Sequence, residues 1–275
     1  MEKMDNTVIQ LEHITKNYNI YKKNIQRVRG IFFGKEAAEV KHALRDVSLT
    51  INKGERVIVT GPVEAGCTSL LSIIAGVIYP TKGKIRTRGK VNAFLNMRAG
   101  FENEATCREN IYLKANVLGI PKAVIKNHVE EIIEELELKD YIDIPLKRAP
   151  KGTPLRICLA VHLLMDTDIM IIDENFNSGG VHIRQECIDK IQRYFETHPD
   201  VTLVISTSQL GMTNNVCTRG LFMEDGVITF DGTPREIYEK YRALSKRATQ
   251  PNEEPDSSES SEGGDGMEEK DIEQE

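Results

Sequence analysis

The 275-residue chain contains no apolar run near the roughly 20 residues that a bilayer-spanning helix needs, so no transmembrane segment is expected. Its opening residues, Met1-Glu2-Lys3-Met4-Asp5, lack the apolar stretch of a secretory leader. The five cysteines, Cys67, Cys107, Cys158, Cys187 and Cys217, are scattered, odd in number and include no C-x-x-C pair. That argues against a disulfide framework or a zinc site and for reduced thiols in a cytosolic protein. The histidines, His13, His42, His128, His162, His182 and His198, show no metal-ligand spacing. The most informative absence is a single lysine. Gly61-Pro62-Val63-Glu64-Ala65-Gly66-Cys67-Thr68 fits the phosphate-loop spacing G-x-x-x-x-G-K-S/T, but Cys67 stands where the lysine belongs.

What remains around that gap is the frame of a phosphate site. In such a loop, backbone N–H groups ring the phosphates, and the loop opens a helix whose N-terminus favours anions. A short apolar strand (Val57-Ile58-Val59-Thr60) precedes it and an apolar helix (Leu70-Leu71-Ser72-Ile73-Ile74-Ala75) follows. Further on, Asp168-Ile169-Met170-Ile171-Ile172-Asp173-Glu174 is a continuous apolar run ending in two carboxylates. Such a run suits a parallel strand buried on both faces. In phosphate-loop ATPases a strand of this kind delivers an aspartate to Mg²⁺, and in one branch the next glutamate polarises the attacking water. Without the loop, the pair would read as the cap of a helix.

Along the rest of the chain, residues 8–14 alternate like an edge strand, and Leu44 to Ile51 forms a second strand before the turn Asn52-Lys53-Gly54-Glu55. Lys84 to Val91 suggests a hairpin element, and residues 107–140 helices. Leu155 to Met165 reads as a helix, Val201 to Ser206 as a second buried strand, Gly220 to Phe230 as a hairpin and Pro234 to Leu244 as a closing helix. Strands alternating with helices indicate an α/β fold with a mostly parallel core. The net charge of −6 is uneven. From Thr249 onward the chain carries 11 acidic residues against Lys270 alone, which leaves the body near +4 (−6 less −10). That tail, rich in Ser, Gly and Glu, is too poor in apolar residues to offset its ordering entropy, so residues 246–275 are expected to be a disordered acidic tail.

These residues together resemble the nucleotide-binding subunits of ABC transporters, over about residues 8–243. The branch they look most like drives export of bacterial surface polysaccharides such as teichoic acid and O-antigen. Three stretches carry that narrower resemblance. They are Ala43-Leu44-Arg45-Asp46-Val47-Ser48-Leu49 with Gly54-Glu55, a long basic insert at 19–42, and Ala99-Gly100-Phe101-Glu102-Asn103-Glu104-Ala105-Thr106-Cys107-Arg108-Glu109-Asn110-Ile111-Tyr112-Leu113. The last is similar to the branch's A-G-F-x-x-E-x-T-G-R-E-N-I-Y. The resemblance implies a phosphate-loop NTPase core over 1–245, with an antiparallel β subdomain and a helical subdomain at about 100–160. It implies ATP and Mg²⁺ as ligands, a membrane-spanning permease and a second nucleotide-binding subunit as partners, and a place on the cytoplasmic face of the membrane. Nucleic acid is not among the partners it implies.

Family roles fall on these positions. Tyr18 is either the aromatic that stacks on adenine or a packing residue. Gly61, Glu64, Ala65, Gly66, Cys67, Thr68 and Ser69 form the phosphate loop, with Thr68 and Asp173 the Mg²⁺ ligands and Glu174 the catalytic base. Several roles are degenerate. Cys67 replaces the lysine, and Glu64 replaces a glycine facing the phosphates. The signature that contacts the opposite subunit's nucleotide reads Ala149-Pro150-Lys151-Gly152-Thr153, keeping only Gly152. Gly180 falls where an aspartate is usual, Thr207 where the switch histidine is usual, and Asn96 near the residue that links nucleotide to permease. The expectation is an export ATPase subunit with impaired nucleotide chemistry. The alternatives are a non-catalytic scaffold or regulator derived from one, and a soluble nucleotide sensor. Lys22, Lys23, Arg27 and Arg29 fit either lipid headgroups or a solvated hairpin, and Cys67, at a helix N-terminus, is a candidate redox-sensitive thiol.

Overall fold

The structure, a computed structural model, describes residues 6–20, 39–173, 180–208 and 215–249. Glu174, most of the basic insert with its four named cations, and residues 250–275 of the acidic tail lie outside the described residues.

The chain runs β1 (Thr7–Ile20), β2 (Glu39–Asn52), β3 (Arg56–Thr60), α1 (Cys67–Ile74), β4 (Lys82–Thr87), β5 (Val91–Phe94), α2 (Cys107–Val117) and α3 (Lys122–Glu135). It continues through a short 3₁₀ turn (Leu146–Arg148), α4 (Thr153–Leu163), β6 (Ile169–Ile172), α5 (Val181–Thr197), β7 (Thr202–Ser206), β8 (Arg219–Glu224), β9 (Val227–Gly232) and α6 (Pro234–Thr249). Two sheets result: an antiparallel one ordered β2-β1-β4, and a six-stranded one ordered β5-β6-β7-β3-β8-β9. In the second, β5, β6, β7, β3 and β8 are parallel neighbours and only β9 runs antiparallel.

The continuous apolar runs have the physical reason expected of them. Val57 and Val59 of β3, Ile169 and Ile171 of β6, and Val204 of β7 face a core shared with α1 and the antiparallel sheet. Ile58, Met170, Ile172, Leu203 and Ile205 face the opposite way, into a core built with α4 and α5. Both faces of the central strands are therefore dry, and no polar residue alternates within them. A third cluster joins α2, α3 and α4 into a helical layer, with Ile111, Ile125, Val129, Ile133, Ile157 and Val161 at its centre.

The longest motif of the sequence turns out to be a staple for that layer. Thr106 and Glu109 form a capping box at the start of α2. Asn110, fully buried, donates from Nδ2 to the carbonyls of Glu102, Ala105 and Thr106 and accepts from the Glu102 N–H. One turn later Lys114 donates to the Ala99 carbonyl at 3.1 Å and lies over the Phe101 ring. The loop leading from β5 into the helices is thus tied down at both ends.

Three expectations need correction. Residues 8–14 belong to the middle strand of the antiparallel sheet, not to an edge, because β1 pairs with β2 on one side and β4 on the other. Lys84 to Val91 is not a hairpin: β4 joins the antiparallel sheet and β5 the parallel one. The chain changes sheets at Gly89-Lys90, where the Lys90 N–H donates to Asp168 at 2.7 Å. Helix α6 runs on to Thr249, four residues or so past the expected start of the tail, and α5 is an element beyond those expected.

Candidate functional site

In a parallel sheet the loops beyond the strand carboxyl ends are where ligands are held. Here the residues that directly follow β3, β6 and β7 gather there. The loop after β3 holds residues 61–66, Asp173 follows β6, and Thr207 follows β7. Around the first of these lies a cleft of about 560 Å³, lined by Tyr18, Lys41, the run Thr60 to Ser69, Thr207 and Tyr241 among others.

The loop's glycines are required by its shape. Gly66 has φ +101, and a Cβ there would lie 2.3 Å from the Ala43 carbonyl oxygen. At Gly61 a Cβ would lie 2.1 Å from the Met223 carbonyl oxygen. Any side chain at either place would displace backbone, so the loop is a tight turn clasped between β2 and β8. The turn of the β8–β9 hairpin braces it from outside. The Gly226 N–H donates to the Ala65 carbonyl at 3.1 Å, while the Gly226 carbonyl accepts from Arg45 N–H at 2.8 Å. Glu64 sits at φ +70, a left-handed conformation that favours glycine. Its carboxylate forms an ion pair with Lys41.

Helix α1 begins at Cys67, with Gly66 as its N-cap and no side-chain cap, so its first N–H groups face the cleft. Cys67 is half-buried on the cleft wall, whereas Cys107, Cys158, Cys187 and Cys217 are buried and none of the five is joined in a disulfide. Burial pushes the Cys158 thiol up to about 11 and those of Cys187 and Cys217 to about 12, which leaves these as inert packing groups.

The decisive local geometry links α1 to the sheet. The Thr68 hydroxyl donates to the Asp173 carboxylate at 3.2 Å, reaching from the first turn of α1, which follows β3, past β7 to the end of β6. Asp173 is almost completely buried. A hydroxyl and a carboxylate meeting at the N-terminus of α1 form a hard-oxygen donor set that suits Mg²⁺, which prefers few protein oxygens and shares the rest with phosphate. The residues present therefore fit ATP with Mg²⁺, apart from Cys67. Tyr18 reaches across the same cleft, its hydroxyl 3.3 Å from Ser69 Oγ, and Lys16 lies over its ring.

Gly152 is placed elsewhere. It caps the N-terminus of α4 on a separate cleft of about 460 Å³ with Met97, Phe101, Lys151 and Pro154. Thr153 beside it turns its hydroxyl back to the Pro150 carbonyl at 2.8 Å. Asn96 is exposed after β5, and its side chain accepts from the Arg98 and Ala99 N–H groups. Gly180 stands immediately before α5. The structure thus brings together Tyr18, Gly61, Glu64, Ala65, Gly66, Cys67, Thr68, Ser69, Asp173 and Thr207, and keeps Gly152 and Asn96 apart from them. Lys41 and Tyr241 also line the cleft, beyond the residues expected from the motifs. Lys41 arrives through strand register and Tyr241 through the packing of α6.

Residues 44–177 match the family described as ABC transporter. The chain is 33% identical over 241 residues to an O-antigen export system ATP-binding protein of Klebsiella pneumoniae, covering 86% of this chain and 97% of that one. The chain belongs to the ABC transporter family. It is also 29% identical to a teichoic acids export ATP-binding protein of Bacillus anthracis, over 89% of this chain and 44% of the relative. Its fold matches a dimeric ATP-binding cassette solved with ADP and Pi, with a TM-score of 0.64 at 18% identity over 82% of this chain and 99% of that one. Among the described residues no helix is long and apolar enough to cross a membrane.

Proposed function

We infer that this ABC family member is the ATP-binding subunit of an exporter of bacterial surface polysaccharide, with weakened ATP binding and hydrolysis. The export reading is supported by relatives named for O-antigen and teichoic acid export. The observation that carries the nucleotide reading is the Thr68–Asp173 contact at the phosphate loop. Those two residues would hold Mg²⁺, which when bound neutralises charge on the phosphates of ATP. Gly61 to Ser69 would direct backbone amides at the phosphates, and Tyr18 would lie beside the base. Glu174 is the candidate general base, and Thr207 occupies the switch-histidine position without a group that titrates near neutrality.

The weakening follows from charge. Losing one member of a close charge pair costs about 2–5 kcal/mol, and Cys67 offers no cation to the phosphates. Glu64 adds a negative charge on the same loop. Because Gly152 lies on a different cleft from the phosphate loop, it would act on nucleotide held by a second subunit. A permease and a second nucleotide-binding subunit are the partners this reading requires, with the chain on the cytoplasmic face of the membrane.

A second reading, a non-catalytic scaffold or regulator of such a transporter, is favoured by the coincidence of Cys67 in the loop with Lys151 and Thr153 in the signature, since a dimer would then have no whole site. Equilibrium binding of Mg-ATP to wild type beside Cys67→Lys separates the two. Micromolar binding by wild type supports the ATPase subunit. Binding only by Cys67→Lys supports the scaffold, and binding by neither removes the nucleotide reading.

A further inference from the structure

We propose that Lys41 supplies, from strand β2, the phosphate-binding charge that Cys67 lacks, with Glu64 as its counter-ion while no nucleotide is bound. The proposal rests on the nucleotide reading of the cleft and adds a binding residue to it.

Strand register puts Lys41 there. It is the direct cross-strand partner of Tyr18 in the β1–β2 pair, so the two side chains leave the sheet side by side on one face. Tyr18 reaches Ser69 in the first turn of α1, which lays this end of the ribbon across the loop. The Lys41 ammonium already touches the loop, paired to the Glu64 carboxylate three positions before Cys67. Among the described residues lining the cleft, Lys41 is the one cation and Glu64 the one anion.

The pairing is built to be exchanged. The side chains are 39% and 68% exposed, and exposed ion pairs contribute little in water. A polyphosphate carries several negative charges and is held at the same time by the loop amides and the α1 N-terminus. It therefore competes well against a single carboxylate for the ammonium. Glu64, the more exposed partner, is free to turn towards solvent, and a four-carbon lysine stem delivers a mobile point charge without disturbing the backbone. The anion lost from the pair is also the one that repels phosphate, so exchange removes one unfavourable contact as it makes a favourable one.

The test is equilibrium binding of Mg-ATP and of inorganic tripolyphosphate, which has no base for Tyr18, to the full chain. Lys41→Met is expected to weaken both by about tenfold or more, and Lys41→Arg to stay within a few fold of wild type. Glu64→Gln, which leaves Lys41 in place without its counter-ion, is expected to tighten tripolyphosphate binding. In a Cys67→Lys background Lys41→Met should matter little, because the loop then carries its own cation. Wild-type affinity, or tighter, in folded Lys41→Met overturns the proposal, as does unchanged or weaker tripolyphosphate binding in Glu64→Gln. If neither wild type nor Cys67→Lys binds ATP, the nucleotide reading fails and Lys41 falls with it. Binding by wild type that ignores Lys41 refutes the proposal alone.

Discussion

Thr68 and Asp173 are 105 residues apart in the chain, yet the threonine hydroxyl donates to the aspartate carboxylate at 3.2 Å. The contact joins the first turn of α1, which follows β3, to the end of β6, and β7 lies between β3 and β6, so only the assembled sheet brings it about. Hydrogen bonds to charged groups contribute about 1.5–3 kcal/mol. Asp173→Asn is therefore expected to weaken Mg-ATP binding by roughly tenfold or more while changing magnesium-free ATP binding little. Titrating ATP with and without Mg²⁺ checks this. Equal losses in both would mean that Asp173 supports the loop rather than a metal.

Gly66 tests the loop itself. Its φ is +101, and a methyl group placed on its Cα would come within 2.3 Å of the Ala43 carbonyl oxygen, so Gly66→Ala forces the loop away from β2. Strain of this kind costs about 1–3 kcal/mol. The expected outcome is a lower urea midpoint together with loss of any ATP binding, whereas Gly76→Ala, also at a positive φ of +72 but with open space around its Cβ, should lose some stability and leave ATP binding untouched. The ATP titrations, not the urea midpoints, distinguish the two.

Asn110 holds the entry to the helical layer through four hydrogen bonds to the backbone at residues 102, 105 and 106. Asn110→Ala leaves those groups without their partner in a buried place, at about 1–3 kcal/mol for each that water cannot reach. A loss of roughly 2–3 kcal/mol in urea unfolding is expected. Asn110→Asp keeps the acceptor but not the donors, so it should not recover the loss.

Much of this is legible in the sequence because it is local. The phosphate loop, the apolar strand ending at Asp173 and the Glu224-Asp225-Gly226 hairpin are each written within a dozen or so residues, and each carries its own reason for its shape. Destinations are less legible. Nothing local says that β4 and β5, separated by Arg88-Gly89-Lys90, enter different sheets, since that depends on Asp168 meeting the Lys90 N–H. Nor does alternation in 8–14 reveal that both edges of β1 are occupied. Helix α5 has apolar Ile183, Cys187, Ile188, Ile191 and Phe195 at helical spacing, a signal diluted by the charged residues between them. Lys41 is the clearest case: its place on the cleft comes from pairing across residues 21–38, a register that no motif specifies.

His162 gives a pH prediction away from the cleft. It is buried on α4, stacked on Phe94 with ring centroids 3.9 Å apart, and its Nδ1 lies 2.6 Å from Asn92 Oδ1. Asn92 in turn donates to the His162 carbonyl and to Thr167, so its Oδ1 is left to accept from the imidazole. Burial, aided by the nearby Lys114 charge, pushes this histidine down from its ordinary 6.5 to about 3. The neutral ring is the folded form. Above pH 6.5 the unfolded chain is neutral there too and the group costs nothing; as pH falls below 6.5 the unfolded state takes up a proton that the folded state refuses. Stability should then decline by up to about 1.4 kcal/mol per pH unit until the folded pKa is reached. His162→Gln keeps a donor for Asn92 and removes the titration. Urea unfolding at a series of pH values from about 7 down towards about 4.5, on roughly half-unit steps above the main carboxylate range, should show the wild-type curve falling relative to that of the variant. Parallel curves would mean that the folded protein accommodates a charged His162 and that the Asn92 contact is rearranged as pH drops.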